Sequence, residues 1–263
     1  MSAGARIAAL AALAWALGAA AASASQPPIV RPGNEARLST PELGRELFAA
    51  NCARCHGPLG QGRFAPSPGI FPNGGQGPPL LGVGRQAADF YLRTGRMPLR
   101  EPHEQPERTR VELTAREIAA LEGYVAALGG GPPIPAPDPA RGNLAQGFQL
   151  FTEHCAGCHQ AVAAGGVVTG ARVPPLDQAT PTQVAEAVRI GPYVMPSFSR
   201  SDISDVQLDS LVRYVEYARR PDDAGGWGIG HLGPFPEGMV TWLIAAVLLV
   251  AACVLIGERL RRS

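Results

Sequence analysis

Cys52-Ala53-Arg54-Cys55-His56 and Cys155-Ala156-Gly157-Cys158-His159 are two copies of one five-residue pattern in a chain of 263 residues. Two cysteines three positions apart on a helical turn present their sulfurs to the same side. There they can form thioethers with the two vinyl groups of a haem, and the histidine that follows points its imidazole at the iron. C-x-x-C-H is therefore the pattern of c-type haem attachment. A redox-active cysteine pair or half of a zinc site also uses C-x-x-C, but neither requires a histidine after both copies. The expectation is two covalently attached haem c groups, bound by Cys52 and Cys55 and by Cys155 and Cys158. His56 and His159 are the expected proximal iron ligands.

The surroundings repeat as well. Gly44-x-x-Leu47-Phe48 precedes the first motif, and Gly147-x-x-Leu150-Phe151 precedes the second at the same offset. Each motif is followed by a loop rich in Gly and Pro, a Met-Pro pair and an amphipathic helix. The first of these helices opens with a capping box, Thr114-x-x-Glu117, and lines up Ile118, Leu121, Val125 and Leu128. The second opens with Ser204-x-x-Gln207 and lines up Leu208, Leu211, Val212 and Val215. Tyr124 and Tyr214 follow Leu121 and Leu211 by three positions. An internal repeat of this kind predicts two similar domains, at 38–128 and 141–220. Between them, 129–140 (GGGPPIPAPDPA) has no periodicity and reads as a semi-stiff linker. Domains of this size bury little apolar surface on their own, and a covalent haem supplies the missing core.

The chain has four methionines. Met1 starts it and Met239 lies in an apolar run. Met97 and Met195 occupy equivalent slots, each after a haem motif and before a proline. They are the expected sixth ligands of the two irons, which closes the metal to oxygen or peroxide and raises its potential. The Pro79-Leu80 and Pro175-Leu176 steps predict a backbone carbonyl that accepts the Nδ1–H of His56 or His159. Arg93 and Arg96 flank the first Met loop, where they either pair with haem propionates or remain solvated. His103, His154 and His231 read as ordinary polar residues, and Cys253 as a small apolar one.

Both ends of the sequence point to export. Residues 1–24 have a basic start, an Ala/Leu-rich run and small residues at a cleavage-like site, and read as a signal peptide or an N-terminal anchor. After a membrane-proximal loop at 221–237, Gly238 to Gly257 is an uncharged stretch of transmembrane length. Arg259, Arg261 and Arg262 follow it, which places the tail 258–263 in the cytoplasm and the haem domains outside. The net charge of +1 gives no basic field for nucleic acid. All 23 basic residues are arginine, so any docking surface relies on guanidinium groups.

The order of helix, C-x-x-C-H, Pro-Leu loop, Met-Pro and closing helix resembles the class I cytochrome c fold, in tandem. The expected fold class is thus all-α, with two such domains and one C-terminal transmembrane helix. Gly95-Arg96-Met97-Pro98, Gly191-Pro192-x-x-Met195-Pro196-x-Phe198 and Gly233-Pro234-x-x-Glu237-Gly238 together resemble one family. It is the dihaem cytochrome c subunit of the actinobacterial-type cytochrome bcc complex, a quinol–cytochrome c reductase. The resemblance implies partnership with a cytochrome b subunit, a Rieske iron–sulfur subunit and a terminal cytochrome oxidase, with electrons passing from the Rieske protein to the oxidase. The competing readings are a dihaem subunit of another respiratory oxidase or a periplasmic dehydrogenase, and a dihaem peroxidase. Methionine at both sixth positions disfavours the peroxidase.

Overall fold

The computed structural model describes residues 28–63, 77–102, 104–221 and 234–262. The expected signal segment, His103, His231 and most of the membrane-proximal loop lie outside the described residues. By their contacts, residues 28–84 and 91–130 form one compact unit, and 85–90 with the rest form a second. Apart from one short hairpin and an isolated bridge between Arg63 and Gly77, the regular elements among the described residues are helices joined by irregular loops.

In the first unit, α1 spans Thr40–Asn51. Ser39 starts it: the Ser39 N–H and hydroxyl both donate to the Glu42 carboxylate, at 2.9 and 2.6 Å, and Pro41 sits in the first turn, where no N–H is needed. A single turn, α2 at Ala53–His56, follows at once. Helix α3 spans Gly84–Arg93, of which 85–90 group with the second unit, and α4 spans Ala115–Ala127. The capping box expected at Thr114 and Glu117 is formed. Leu43, Leu47 and Phe48 of α1 pack with Leu113, Ile118 and Leu121 at α4. Each such side chain contributes about 1.5–3 kcal/mol when fully buried. Phe48 meets Tyr124 with ring centroids 4.7 Å apart.

The second unit repeats the plan. Helix α5 spans Leu144–His154, capped by Asn143, and the one-turn α6 spans Ala156–His159. An antiparallel hairpin follows, β1 at Gly166–Val168 and β2 at Ala171–Val173, with Val167 opposite Arg172. Helix α7 spans Pro181–Ile190 and α8 spans Asp205–Arg219. Leu208, Leu211, Val212 and Val215 of α8 are buried with Leu150 and Phe151 of α5 and Val184 and Val188 of α7. The Tyr214 ring lies 5.2 Å from Phe151, and its hydroxyl donates to the Ala161 carbonyl at 2.7 Å.

The final helix, α9, spans Pro234–Arg262. Within it, Gly238–Arg262 is long and apolar enough to cross a membrane. Its side chains are exposed all round rather than packed on a core, as lipid-facing residues would be. The helix runs on beyond the apolar stretch to include Arg259, Arg261 and Arg262.

Candidate haem sites

Each cysteine pair sits where one helix hands over to the next. Cys52 ends α1 and caps α2, and Cys155 ends α5 and caps α6, with nearly identical backbone angles of φ −113°, ψ −37° and φ −121°, ψ −36°. The Cys52 carbonyl accepts from the N–H groups of Cys55 and His56 at 3.1 and 2.9 Å, and the Cys155 carbonyl accepts from Cys158 and His159 at the same distances. The chain thus makes one tight turn that brings both cysteines and the histidine together. It then reverses at Gly57 and Gln160, both at positive φ.

All five cysteines are free. Burial, reinforced by the neighbouring Cys55, pushes the Cys52 thiol up to about 12. Burial and Cys158 push Cys155 up to about 11. A redox-active pair needs the opposite, a thiol poised to lose its proton. Among the described residues, no three or more His, Cys, Asp or Glu side chains gather into a metal-binding group, so the two pairs do not assemble a zinc-type donor set. What remains on each turn is two thiols and an imidazole, the donor set that covalent haem requires.

The histidines are oriented from behind. His56 Nδ1 lies 2.8 Å from the Pro78 carbonyl, and His159 Nδ1 lies 3.2 Å from the Pro174 carbonyl. A carbonyl only accepts, so each Nδ1 carries the proton and Nε2 keeps its lone pair for a metal. The expected acceptor is therefore present, and it is the residue just before each Pro-Leu step. Burial lowers the pKa of both rings, against the opposing pull of these hydrogen bonds, so both stay neutral. Gly77 allows the first loop its approach: a Cβ there would stand 2.8 Å from the Cys55 carbonyl oxygen and 3.1 Å from His56 Nδ1.

Met97 and Met195 lie in equivalent loops, each following a ten-residue helix, α3 or α7. The Met97 N–H donates to the Tyr91 carbonyl at 3.2 Å. The Met195 N–H donates to the Pro192 carbonyl at 3.1 Å, and its side chain packs against the second core beside Phe198. Gly191, left-handed at φ 63°, ends α7 and turns the chain into this loop. A Cβ there would come within 2.8 Å of the Met195 carbonyl oxygen. The hairpin reaches the same loop, since the Tyr193 hydroxyl donates to the Gly170 carbonyl at 3.4 Å. Arg93 and Arg96 part ways: Arg93 is half-exposed and paired with Glu122 at 3.1 Å, whereas Arg96 is buried.

Several of these features escaped the sequence reading. Helix α7 was signalled by Thr180-Pro181-x-Gln183, a capping box with proline in the first turn. The hairpin was signalled by the β-branched run Val167-Val168-Thr169 leading into Gly170. No local signal distinguishes Arg96 from Arg93.

Comparison with known proteins agrees with this geometry. The family described as "Cytochrome c" matches residues 41–129, and the family described as "Cytochrome C oxidase, cbb3-type, subunit III" matches residues 142–215. The chain is 34% identical over 234 residues to the cytochrome bc1 complex cytochrome c subunit of Corynebacterium diphtheriae, covering 82% of this chain and 80% of that protein. It is 34% identical over 251 residues to the protein of that name from Mycobacterium tuberculosis, covering 92% and 86%. It is also 31% identical over 194 residues to the Cbb3-type cytochrome c oxidase subunit CcoP of an Azospirillum species, covering 65% and 60%.

Proposed function

Because the chain belongs to the family of cytochrome bc1 complex cytochrome c subunits, we propose that it is the dihaem electron relay of a quinol–cytochrome c reductase. It takes electrons from a Rieske iron–sulfur subunit and delivers them to a terminal cytochrome oxidase, beside a cytochrome b subunit. The observation that carries this reading is the duplicated Cys-Cys-His turn, with each histidine Nδ1 bonded to a loop carbonyl. A bound haem c would supply one-electron exchange, with no substrate site of the chain's own.

The chain's own residues anchor, orient and shield. Cys52 and Cys55 would hold the first haem and Cys155 and Cys158 the second through thioether bonds, so that neither is lost to solvent. His56 and His159 offer Nε2 to the iron, fixed in tautomer by Pro78 and Pro174. Met97 and Met195 would supply the further iron ligands through their thioether sulfurs. Two domains, 38–128 and 141–220, carry one site each and are joined by the linker 129–140. The helix from Gly238 crosses the membrane, with Arg259, Arg261 and Arg262 on the cytoplasmic side and the haem domains outside. A tethered domain meets its partner at an effective concentration that reaches the millimolar range, so near-neutral docking surfaces suffice.

Purification in mild detergent tests the assignment. Two covalent haems per chain are expected, together with cytochrome b, a Rieske protein and an oxidase. The assembly should consume oxygen on quinol with no added soluble cytochrome c. The match of 142–215 to a cbb3-type oxidase subunit favours one other reading, a dihaem subunit of such an oxidase. Co-purification with an oxidase core alone, without cytochrome b or Rieske protein, would select it.

A further inference from the structure

Arg189 stands in the last turn of α7, two residues before the left-handed Gly191, and its side chain is only 11% exposed. Its Nη1 lies 3.1, 2.8 and 2.6 Å from the carbonyl oxygens of Phe198, Ser199 and Ile203, so its two protons are shared among three acceptors. Its Nη2 donates to the carboxylate of Asp205, the first residue of α8, at 2.9 Å. One guanidinium thus ties the end of α7, the stretch 198–203 and the start of α8 together.

This tie sits at the base of the loop that carries Met195. The loop leaves α7 at Gly191, whose N–H donates to the Ala187 carbonyl at 2.9 Å, and returns at Phe198, whose N–H donates to the Val188 carbonyl at 2.8 Å. Residues 192–197 are therefore a short excursion whose two ends close on one turn of α7. The ends are in contact: a Cβ at Gly191 would stand 2.5 Å from the Ser197 nitrogen and 2.9 Å from the Pro196 carbonyl carbon. Only Pro196 and Ser197 separate Met195 from Phe198, so fixing the return point fixes where the thioether is delivered. The first unit closes its Met loop by other means. Arg93 holds the equivalent position, two residues before the left-handed Gly95, but its side chain is 40% exposed and pairs with Glu122 at 3.1 Å. There Thr109 ties the loop, its hydroxyl donating to the Gly95 carbonyl and its N–H to the Thr94 carbonyl at 3.3 Å.

We propose that Arg189 is a positioning residue for the second haem: by latching Phe198, Ser199 and Ile203 to Asp205 it holds the Met195 thioether on the iron, keeps foreign ligands off it and sustains its potential. Hydrogen bonds to an ionised group are roughly twice as strong as neutral ones, and a guanidinium stays charged at any working pH. A methionine that leaves the iron must carry its loop outward, and the latch opposes that movement. The inference rests on Met195 as an iron ligand, proposed above.

The test uses the full chain in its purified, oxidised complex, titrated with imidazole as the foreign ligand and followed by the thioether-to-iron absorption. Met195→Ala identifies the response of the second haem. Arg189→Gln should raise the imidazole affinity of that haem on the order of tenfold and lower its midpoint alone, with faster hydrogen exchange at the Phe198 amide. Asp205→Asn should act in the same direction more weakly. Arg189→Lys should recover part of the loss, since lysine keeps the charge without the fork. Arg219→Gln is the control: Arg219 also donates to backbone carbonyls of the second unit, those of Leu176 and Ala179, but outside the Met195 loop, and its loss should leave the imidazole affinity at the parental value. Parental affinity and midpoint in Arg189→Gln, or an equal rise in Arg219→Gln, overturn the latch and leave the haem reading intact. Parental affinity and absorption in Met195→Ala overturn the ligand assignment itself.

Discussion

Gly44 of α1 lies directly against Ala120 of α4, so close that a Cβ at position 44 would overlap the Ala120 carbonyl oxygen and stand 2.9 Å from its carbon. Gly147 of α5 has the same relationship to Ser210 of α8, where a Cβ would stand 2.7 Å from the carbonyl carbon and 2.9 Å from the Tyr214 Cβ. The glycine of each Gly-x-x-Leu-Phe repeat is therefore the point where two helix backbones cross. Its absent side chain lets the following Leu and Phe enter the opposite helix's core.

Substitution at this crossing should be costly. Alanine in place of glycine inside a helix ordinarily gains about 0.5–1 kcal/mol. Here the clash is with backbone, and overpacking of this kind costs about 1–3 kcal/mol. The clash wins. Gly44→Ala and Gly147→Ala should each lower the melting temperature of the unit concerned, measured by calorimetry on the haem-loaded protein. An unchanged or higher melting temperature would mean the helices can slide apart freely.

Acid stability has a specific source at α4. Glu117 is fully buried and pairs with Arg31 at 2.6 Å. Burial alone would raise its pKa, but the Arg31 guanidinium and the Thr114 backbone and hydroxyl donors outweigh that and hold it below the usual range. A carboxylate depressed on folding stabilises at pH values above its unfolded pKa, about 4.3. That stabilisation is lost as pH falls through the lower folded value. Glu117→Gln should flatten the loss of stability below about pH 4. At neutral pH, Arg31→Ala should destabilise by about 1–3 kcal/mol. Acid-denaturation curves of the two variants that match the parent would contradict this.

The proposed distal ligands give a spectral forecast. Met97→Ala and Met195→Ala should each convert one haem to high spin, or admit a foreign ligand, and lower its potential. The thioether-to-iron absorption should drop by about half in each, since one of two equivalent ligands is gone. Parental spectra in both variants would move the assignment to another side chain.

Haem loading should be separable. With Cys52 and Cys55 both changed to alanine, one acid–acetone-resistant haem per chain should remain, still held at Cys155 and Cys158. Complete loss of covalent haem would show that the two sites mature together rather than as independent turns.

The sequence alone determined whatever depends on spacing within a turn or two. Cysteines three apart, capping pairs such as Thr114 and Glu117, and the period of Leu208, Leu211 and Val215 fix their neighbours through the local geometry of a helix. The uncharged run from Gly238 to Gly257 is legible for the same reason, because its length and composition require no partner. The equivalence of the Met97 and Met195 loops was legible because their positions repeat. The tertiary structure decided what depends on chain reversal. Pro78 and Pro174, rather than the Pro-Leu steps after them, meet the histidines because the loop closures set which carbonyl arrives. Arg96 is buried and Arg93 half-exposed because the chain turns just before Arg96, at Gly95, left-handed at φ 64°. Such contacts join residues far apart in sequence, and their register is a property of the packed chain, with no signature in any short stretch of it.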